Sequence, residues 1–220
     1  GKGHKDNFYH TLEVLDQIAV KTEDLWLRWA ALLHDIAKPA TKRFSKDEGW
    51  SFHGHEDKGS RMVKPIFARL KLPLNASMNK VQKLVQLHLR PIALTKDNIT
   101  DSAVRRLIYD ADEYLNDLIT LCKSDITTQN KEKEQRFQNN LINVEKNIAR
   151  VEERDRIRNW QPPIKGNEIM DLFKINPGRE IGIIKSALKD AILDGIIEND
   201  YNEAHKFVLE QGKKLGLQIQ

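Results

Sequence analysis

A chain of 220 residues, 40% hydrophobic and 31% charged, has material for one well-buried core plus a smaller appended module, and is too rich in apolar side chains to be a disordered segment. Its net charge of +4 is compatible with a phosphate-bearing partner without demanding one. No run approaches the roughly 18 apolar residues of a membrane span and no apolar signal core opens the chain, which predicts a cytoplasmic protein with no membrane partner; a single cysteine, Cys122, excludes an internal disulfide and reads as packing.

Apolar residues recur at helical spacing almost throughout, and alternating apolar and polar runs are nearly absent, so the predicted fold class is all-α. The first helix is expected over Asp6 to Val20, with Phe8, Leu12, Leu15 and Ile18 on one side, and the second over Asp24 to Ala37, ended by Pro39. A polar stretch from Lys42 to Gly54 reads as a loop, and the helical period resumes from Glu56 to Leu72 before Pro73. Further helices follow over Asn79 to His88, stopped by Pro91, over Asp101 to Asp110, capped by Thr100 or Asp101, and over Glu113 to Thr127. From Lys131 to Arg158, Phe137, Leu141, Val144, Ile148 and Val151 mark one face of a long amphipathic helix whose charged side reads as solvated.

The paired prolines within Asn159 to Lys165 predict a boundary, dividing the chain into residues 1–158 and a small helical C-terminal module, 159–220. The module holds Ile169 to Phe173, then Pro177, suited to a first helical turn, an apolar-periodic run to Leu193, a stop at Gly195 and a last helix near Glu203 to Leu215.

The motif HDIAKP sets His34 and Asp35 at the end of the apolar run LRWAALL, on a helix that must be partly buried. Burying a carboxylate beside an imidazole is costly unless the charge is paired or coordinates a metal, and the two together suit divalent cations. Other polar residues stand where apolar runs meet breaks: His10, GHE at 54–56, HLR at 88–90 and SD at 124–125. Singly, each has an ordinary explanation: His10 as a core histidine, His55 as a helix N-terminal residue, His88 as a C-terminal cap, Asp125 as a helix-end charge. FHGHE offers both His53 and His55, of which the second adjoins Glu56 where the next helical run starts. Lys38, one turn after His34, and Arg90, beside His88, are placed to reach phosphate oxygens or to serve as plain surface charges. His4 and His205 fall outside the pattern and read as surface residues.

Taken in the order H, HD, H, H, D across residues 4–130, these residues resemble the HD-domain superfamily of metal-dependent phosphohydrolases. The resemblance implies a helical bundle in which His10, His34, Asp35 and Asp125 hold a metal, while His55 and His88 support a second ion sharing Asp35. GHE with its following glycine matches the family pattern, which favours His55 over His53. Such a centre hydrolyses phosphate esters, its metal polarising the phosphoryl oxygen and lowering the pKa of a bound water. Catalytic roles fall to Asp35, Lys38 and Arg90, and the cofactor is one or two divalent ions among Mn, Ni, Fe, Co, Zn and Mg.

A second resemblance covers nearly the whole chain: HKDNFYHTLEVLD, LWLRWAALLHDIAKPATKRF, GWSFHGHE, KLVQLHLRPIAL, TDSAVRRL, LCKSDIT, QPPIKGNEIMDLF and PGREIGIIKSALKDAILDGII. It is similar to the C-terminal part of bacterial HD-containing tRNA nucleotidyltransferases of the poly(A) polymerase family, particularly the Bacteroidetes type. There, an N-terminal domain adds nucleotides to the tRNA 3′ end, a following region binds tRNA, and the HD domain, where active, removes phosphates or opens 2′,3′-cyclic phosphates. This sequence has no Gly-Ser element followed by paired aspartates, so the resemblance implies a fragment that does not itself add nucleotides; opening on Gly1 accords with a piece of something longer. The expected partners are a nucleotide or RNA 3′-end phosphate, with tRNA in the parent protein. The alternative is a non-catalytic scaffold assisting tRNA binding, which the basic residues Lys165, Lys174, Arg179, Lys185 and Lys189 fit. A signalling nucleotide hydrolase sharing only the HD site would leave the resemblance over residues 159–200 without a reason.

Overall fold

The computed structural model describes residues 6–47, 49–95, 99–128, 130–155 and 160–218; His4, the expected helix end at Arg158 and the start of the boundary at Asn159 lie outside them. In chain order the elements are α1 (Asn7–Ala19), α2 (Leu25–Leu33), α3 (Lys38–Thr41), β1 (Arg43–Ser45), β2 (Gly49–Ser51), α4 (His55–Arg69), α5 (Ala76–Leu87) and α6 (Arg90–Ala93). Then come α7 (Asp101–Ala111), a 3-10 turn over Asp112–Tyr114, α8 (Leu115–Asp125), α9 (Lys131–Asp155), α10 (Gly166–Phe173), α11 (Arg179–Leu193) and α12 (Tyr201–Lys214). The fold is all-α, as the periodicity predicts, with one antiparallel hairpin among the described residues. No described helix is long and apolar enough to cross a membrane. The chain forms two compact units, Gly1–Ile99 with Asp110–Arg150, and Thr100–Tyr109 with Val151–Gln220.

In the first unit the helix starts are written in capping side chains. Asp6 accepts from the Phe8 N–H, Asp24 from Trp26 and Leu27, and Asn75 from Ser77, each satisfying amide donors that a helix leaves orphaned. Helix α2 packs on α1 and α5, α4 packs along α5, and α8 lies against α1, α2, α5 and α6. Between them Val14, Ile18, Leu27, Ala30, Val81 and Leu118 are buried, and Phe67 of α4 sits fully buried beside Trp26 and Trp29 of α2. Lys80 of α5 ties the bundle by pairing with Asp24 and Asp117, each at 2.6 Å.

Two expectations are corrected here. Helix α2 stops at Leu33 rather than Ala37, because a turn closes over His34–Ala37 and Pro39, which lacks an N–H, opens the short α3 instead of ending α2. The stretch expected as a loop contains β1 and β2, paired as Arg43↔Ser51, Phe44↔Trp50 and Ser45↔Gly49. Strands of three residues are too short for alternation to show, and what holds the register is the cross-strand aromatic pair, with ring centroids 5.2 Å apart.

The second unit buries Val104, Leu107, Ile169, Ile184, Leu188 and Val208, with α11 packed on α10 and α12. Arg106 forks onto Asp190 and Asp194, and Arg105 pairs with Asp155 at 2.7 Å. Pro177 precedes the Gly178 cap rather than lying in the first turn of α11.

Candidate metal centre

Three helices of the first unit end on one spot. His34 is the C-cap of α2, His88 the C-cap of α5, and Asp125 the last residue of α8. Helix C-termini carry partial negative charge, so this convergence favours a cation. The turn after α2, closed by Ile36 N–H donating to Leu33 and Lys38 N–H to Asp35, brings Asp35 to the same place. His10 reaches it from the first turns of α1. His55 opens α4 directly after Gly54, whose φ of +75° is a left-handed conformation that a side chain would strain.

The six predicted ligands come together around Asp35. Its Oδ2 lies 3.3 Å from His34 Nε2 and 3.5 Å from His10 Nε2, while its Oδ1 lies 3.3 Å from His55 Nε2 and 3.8 Å from His88 Nε2. Asp125 Oδ1 closes the first side, 2.9 Å from His10 Nε2 and 3.4 Å from His34 Nε2. Two groups able to hold a metal ion result, His10/His34/Asp35 and Asp35/His55/His88, with Asp35 common to both.

Each ring is oriented from behind. The Nδ1–H of His34 donates to the Ala31 carbonyl (2.7 Å), that of His55 to Phe52 (2.8 Å) and that of His88 to Val85 (2.7 Å). A carbonyl only accepts, so these bonds put a proton on Nδ1 and turn Nε2 towards the centre, as metal-ligating histidines require. His10 Nδ1 instead bonds the Thr127 hydroxyl at 2.8 Å.

Burial draws the His34 proton off, but the carboxylates of Asp125 and Asp35 outweigh it and raise the pKa to about 10. Burial would raise Asp35 and Asp125, yet their histidine neighbours, and Lys38 beside Asp35, hold both well below the usual carboxylate range. Burial and the charge at His34 push His88 down to about 4, leaving it a neutral imidazole, whereas for His55 burial is overcome by Asp35 and the pKa rises. His34 Nε2 and Asp35 Oδ1 are both fully buried without a hydrogen-bond partner. Orphaned atoms of this kind, on imidazole and carboxylate facing one another, fit a divalent cation as their missing partner.

The metal-free chain has a defined pH signature. His34 keeps its proton to about pH 10 when folded, against an ordinary imidazole value of 6.5, so that contribution to stability is complete below 6.5 and lost as pH rises through about 10. The depressed aspartates contribute above the ordinary carboxylate value of 3.8 and lose their contribution in acid. With chelator present, the urea midpoint is expected to peak between these limits and to fall on the alkaline side. A midpoint that stays level or rises from pH 6.5 to 10 would take that proton off His34.

Lys38 Nζ contacts Asp35 Oδ2 at 2.5 Å. Arg90 is half exposed and pairs with Asp110 at 3.4 Å. His53 is exposed and lies outside both ligand groups, and His205, in the second unit, stacks on Tyr201. Cys122 is buried, its thiol donating to the His88 carbonyl at 2.8 Å, and burial pushes its pKa well up, which suits packing and not attack. Thr127 and the carbonyls of Ala31, Phe52 and Val85 were not foreseen, since a sequence does not display which backbone groups lie behind a ring.

Residues 7–117 match the HD domain, a match ending before Asp125, which the geometry nevertheless brings to the centre. Over 214 residues the chain is 34% identical to the A-adding tRNA nucleotidyltransferase of Deinococcus radiodurans, covering 94% of this chain and 47% of that protein. It is 28% identical over 221 residues to the CC-adding tRNA nucleotidyltransferase of Thermus thermophilus, covering 95% and 46%. A shorter stretch of 69 residues is 42% identical to the Multifunctional CCA protein of Pseudomonas fluorescens, covering 31% and 16%. The chain thus spans about half the length of the first two relatives. With the domain matched across half of the sequence and the nucleotidyltransferase likeness running through nearly all of it, the chain belongs to the HD-domain family and is related to the tRNA nucleotidyltransferases.

Proposed function

We propose that this chain is a metal-dependent phosphohydrolase of the phosphatase or 2′,3′-cyclic phosphodiesterase type, acting on nucleotides or RNA 3′ ends. The observation that supports it most is the pair of ligand groups meeting on Asp35, with His10, His34 and Asp125 on one side and His55 and His88 on the other. Divalent ions held there supply polarisation of a phosphoryl oxygen and activation of water. Asp35 and Asp125 anchor the positive charge, and the Nδ1 bonds keep the imidazoles in register. Lys38 is assigned to a phosphate oxygen, to which its ammonium would turn from Asp35, and Arg90 to the same phosphate from the α5–α6 side. In this reading residues 1–158 carry the chemistry and residues 159–220 form a supporting helical module.

The purified chain, supplied with Mn, Ni or Mg, is expected to bind one or two ions and to open a 2′,3′-cyclic nucleotide. Protein that takes up no metal and stays inactive would point to the second reading, a helical scaffold that helps a longer enzyme grip tRNA. That reading is supported by likeness to tRNA nucleotidyltransferases over 94% of the chain, and it predicts tRNA affinity that falls steeply with salt.

A further inference from the structure

Beside the centre lies a cavity of about 610 Å³ in the first unit, between α6, the segment after α8 and the start of α9. We infer that it receives the base and ribose of one unpaired nucleotide whose phosphate lies at the metal centre, an inference that rests on the phosphohydrolase reading. Asp125 is part of its wall, and so is Thr127, whose hydroxyl holds His10; the cavity and the ligand set therefore share residues.

The volume falls within the usual range of small-molecule sites, about 300–1,000 Å³. Its lining separates two parts of a nucleotide. Ile92, Phe137 and Leu141 make it mainly apolar, and among the described lining residues Asp125 carries the one formal charge. A described wall with a carboxylate and an apolar majority is a poor track for a phosphate backbone, which needs cations along its path. It suits the uncharged part of the substrate, leaving the phosphate to the metals. The half-buried Phe137 ring carries the Arg136 guanidinium over it, 5.6 Å from the ring centroid, and its opposite π-face is the stacking platform, which accepts any base.

The hydroxyls complement one another. Thr95 donates to the Ile92 carbonyl at 2.8 Å, which leaves its oxygen an acceptor, whereas Thr128 accepts from the Asn130 N–H at 3.3 Å and keeps its own O–H to donate. One acceptor and one donor serve ribose hydroxyls or base edges without selecting a particular base. The site is therefore an end-binding one with broad base tolerance.

The test compares a nucleoside 2′,3′-cyclic phosphate with glycerol 1,2-cyclic phosphate, the same ester without a base, on the metal-loaded full chain. The nucleotide is expected to have a KM lower by about tenfold, and Phe137→Ala to bring the two KM values together, the scale of losing one stacking contact. Phe137→Leu, which keeps the apolar volume, serves if the alanine variant does not fold. In parallel, adenosine and cytidine, which have no phosphate, are expected to shift the Phe137 ring resonances in NMR titrations. Equal KM values in the wild type, or a ratio that Phe137 substitution leaves in place, would overturn the inference while leaving the hydrolase standing. If neither ester is turned over the hydrolase reading fails, and the nucleoside titration then decides the cavity by itself: no shift at Phe137 overturns it.

Discussion

Asp35→Ala is expected to strip bound metal from the chain while its helical circular dichroism persists. Asp35 is the residue that both ligand groups need, one oxygen facing His10 and His34 and the other facing His55 and His88. Changing a group that only orients a ligand typically costs 10–100-fold in affinity, so removing the shared carboxylate should cost at least about 100-fold. The helices do not depend on it: Asp35 caps none of them, and α2 before it is held by its own buried apolar residues, Ala30, Ala31 and Leu33 among them. Elemental analysis after dialysis reads the outcome. A variant that keeps wild-type metal stoichiometry would remove Asp35 from the centre and the two-group arrangement with it.

The largest stability effect is expected at Phe67, which has no solvent exposure and fills the space between α4 and α2, its ring 5.9 Å from Trp26 and 5.8 Å from Trp29. Phe67→Ala removes that apolar area and leaves a cavity which two rigid indoles cannot collapse to fill, a loss of about 4 kcal/mol. For a chain of this size that is a fall in Tm of about 10 °C, while Phe67→Leu, which retains most of the volume, should cost less than about 1.5 kcal/mol. Thermal melts of the metal-free variants check this, and near-identical melting of wild type and Phe67→Ala would mean that the α2–α4 packing is not what holds the unit together. Because His34 caps α2, the alanine variant is also expected to bind metal less tightly.

Helices were the most legible part of the chain, because Asp6, Asp24 and Thr100 announce starts and the apolar spacing of Leu141, Val144, Ile148 and Val151 marks a continuous face, whereas α5 starts at Ala76 under an Asn75 cap, three residues before the expected Asn79. The ends were less so. Pro39 looks like a terminator in a string of letters, yet the turn that stops α2 is made by backbone bonds within Leu33 to Lys38, six residues whose side chains give no sign of it. The candidate ligands could be gathered by order, and the GHE pattern favoured His55 over His53 two positions away, but the means by which it faces inward, the left-handed Gly54 and the Phe52 carbonyl, are not written in the letters. Lys38 shows the limit from the other side. Sequence counts it one turn after His34, while the fold seats it on Asp35. The partners of Arg105 and Arg106 lie 50 and 84 to 88 positions along the chain, a separation that local pattern does not bridge.

Three imidazoles share a single local device, a bond from Nδ1 to the carbonyl three residues earlier. A main-chain carbonyl is present whatever side chain the residue carries, so positions 31, 52 and 85 can drift in sequence without changing which nitrogen faces inward, provided the turn survives. His10 alone depends on a hydroxyl, that of Thr127. Three corners of the centre are thus insulated from mutation at their supports, and the fourth is the place where a single substitution can adjust the ligand field without touching a ligand.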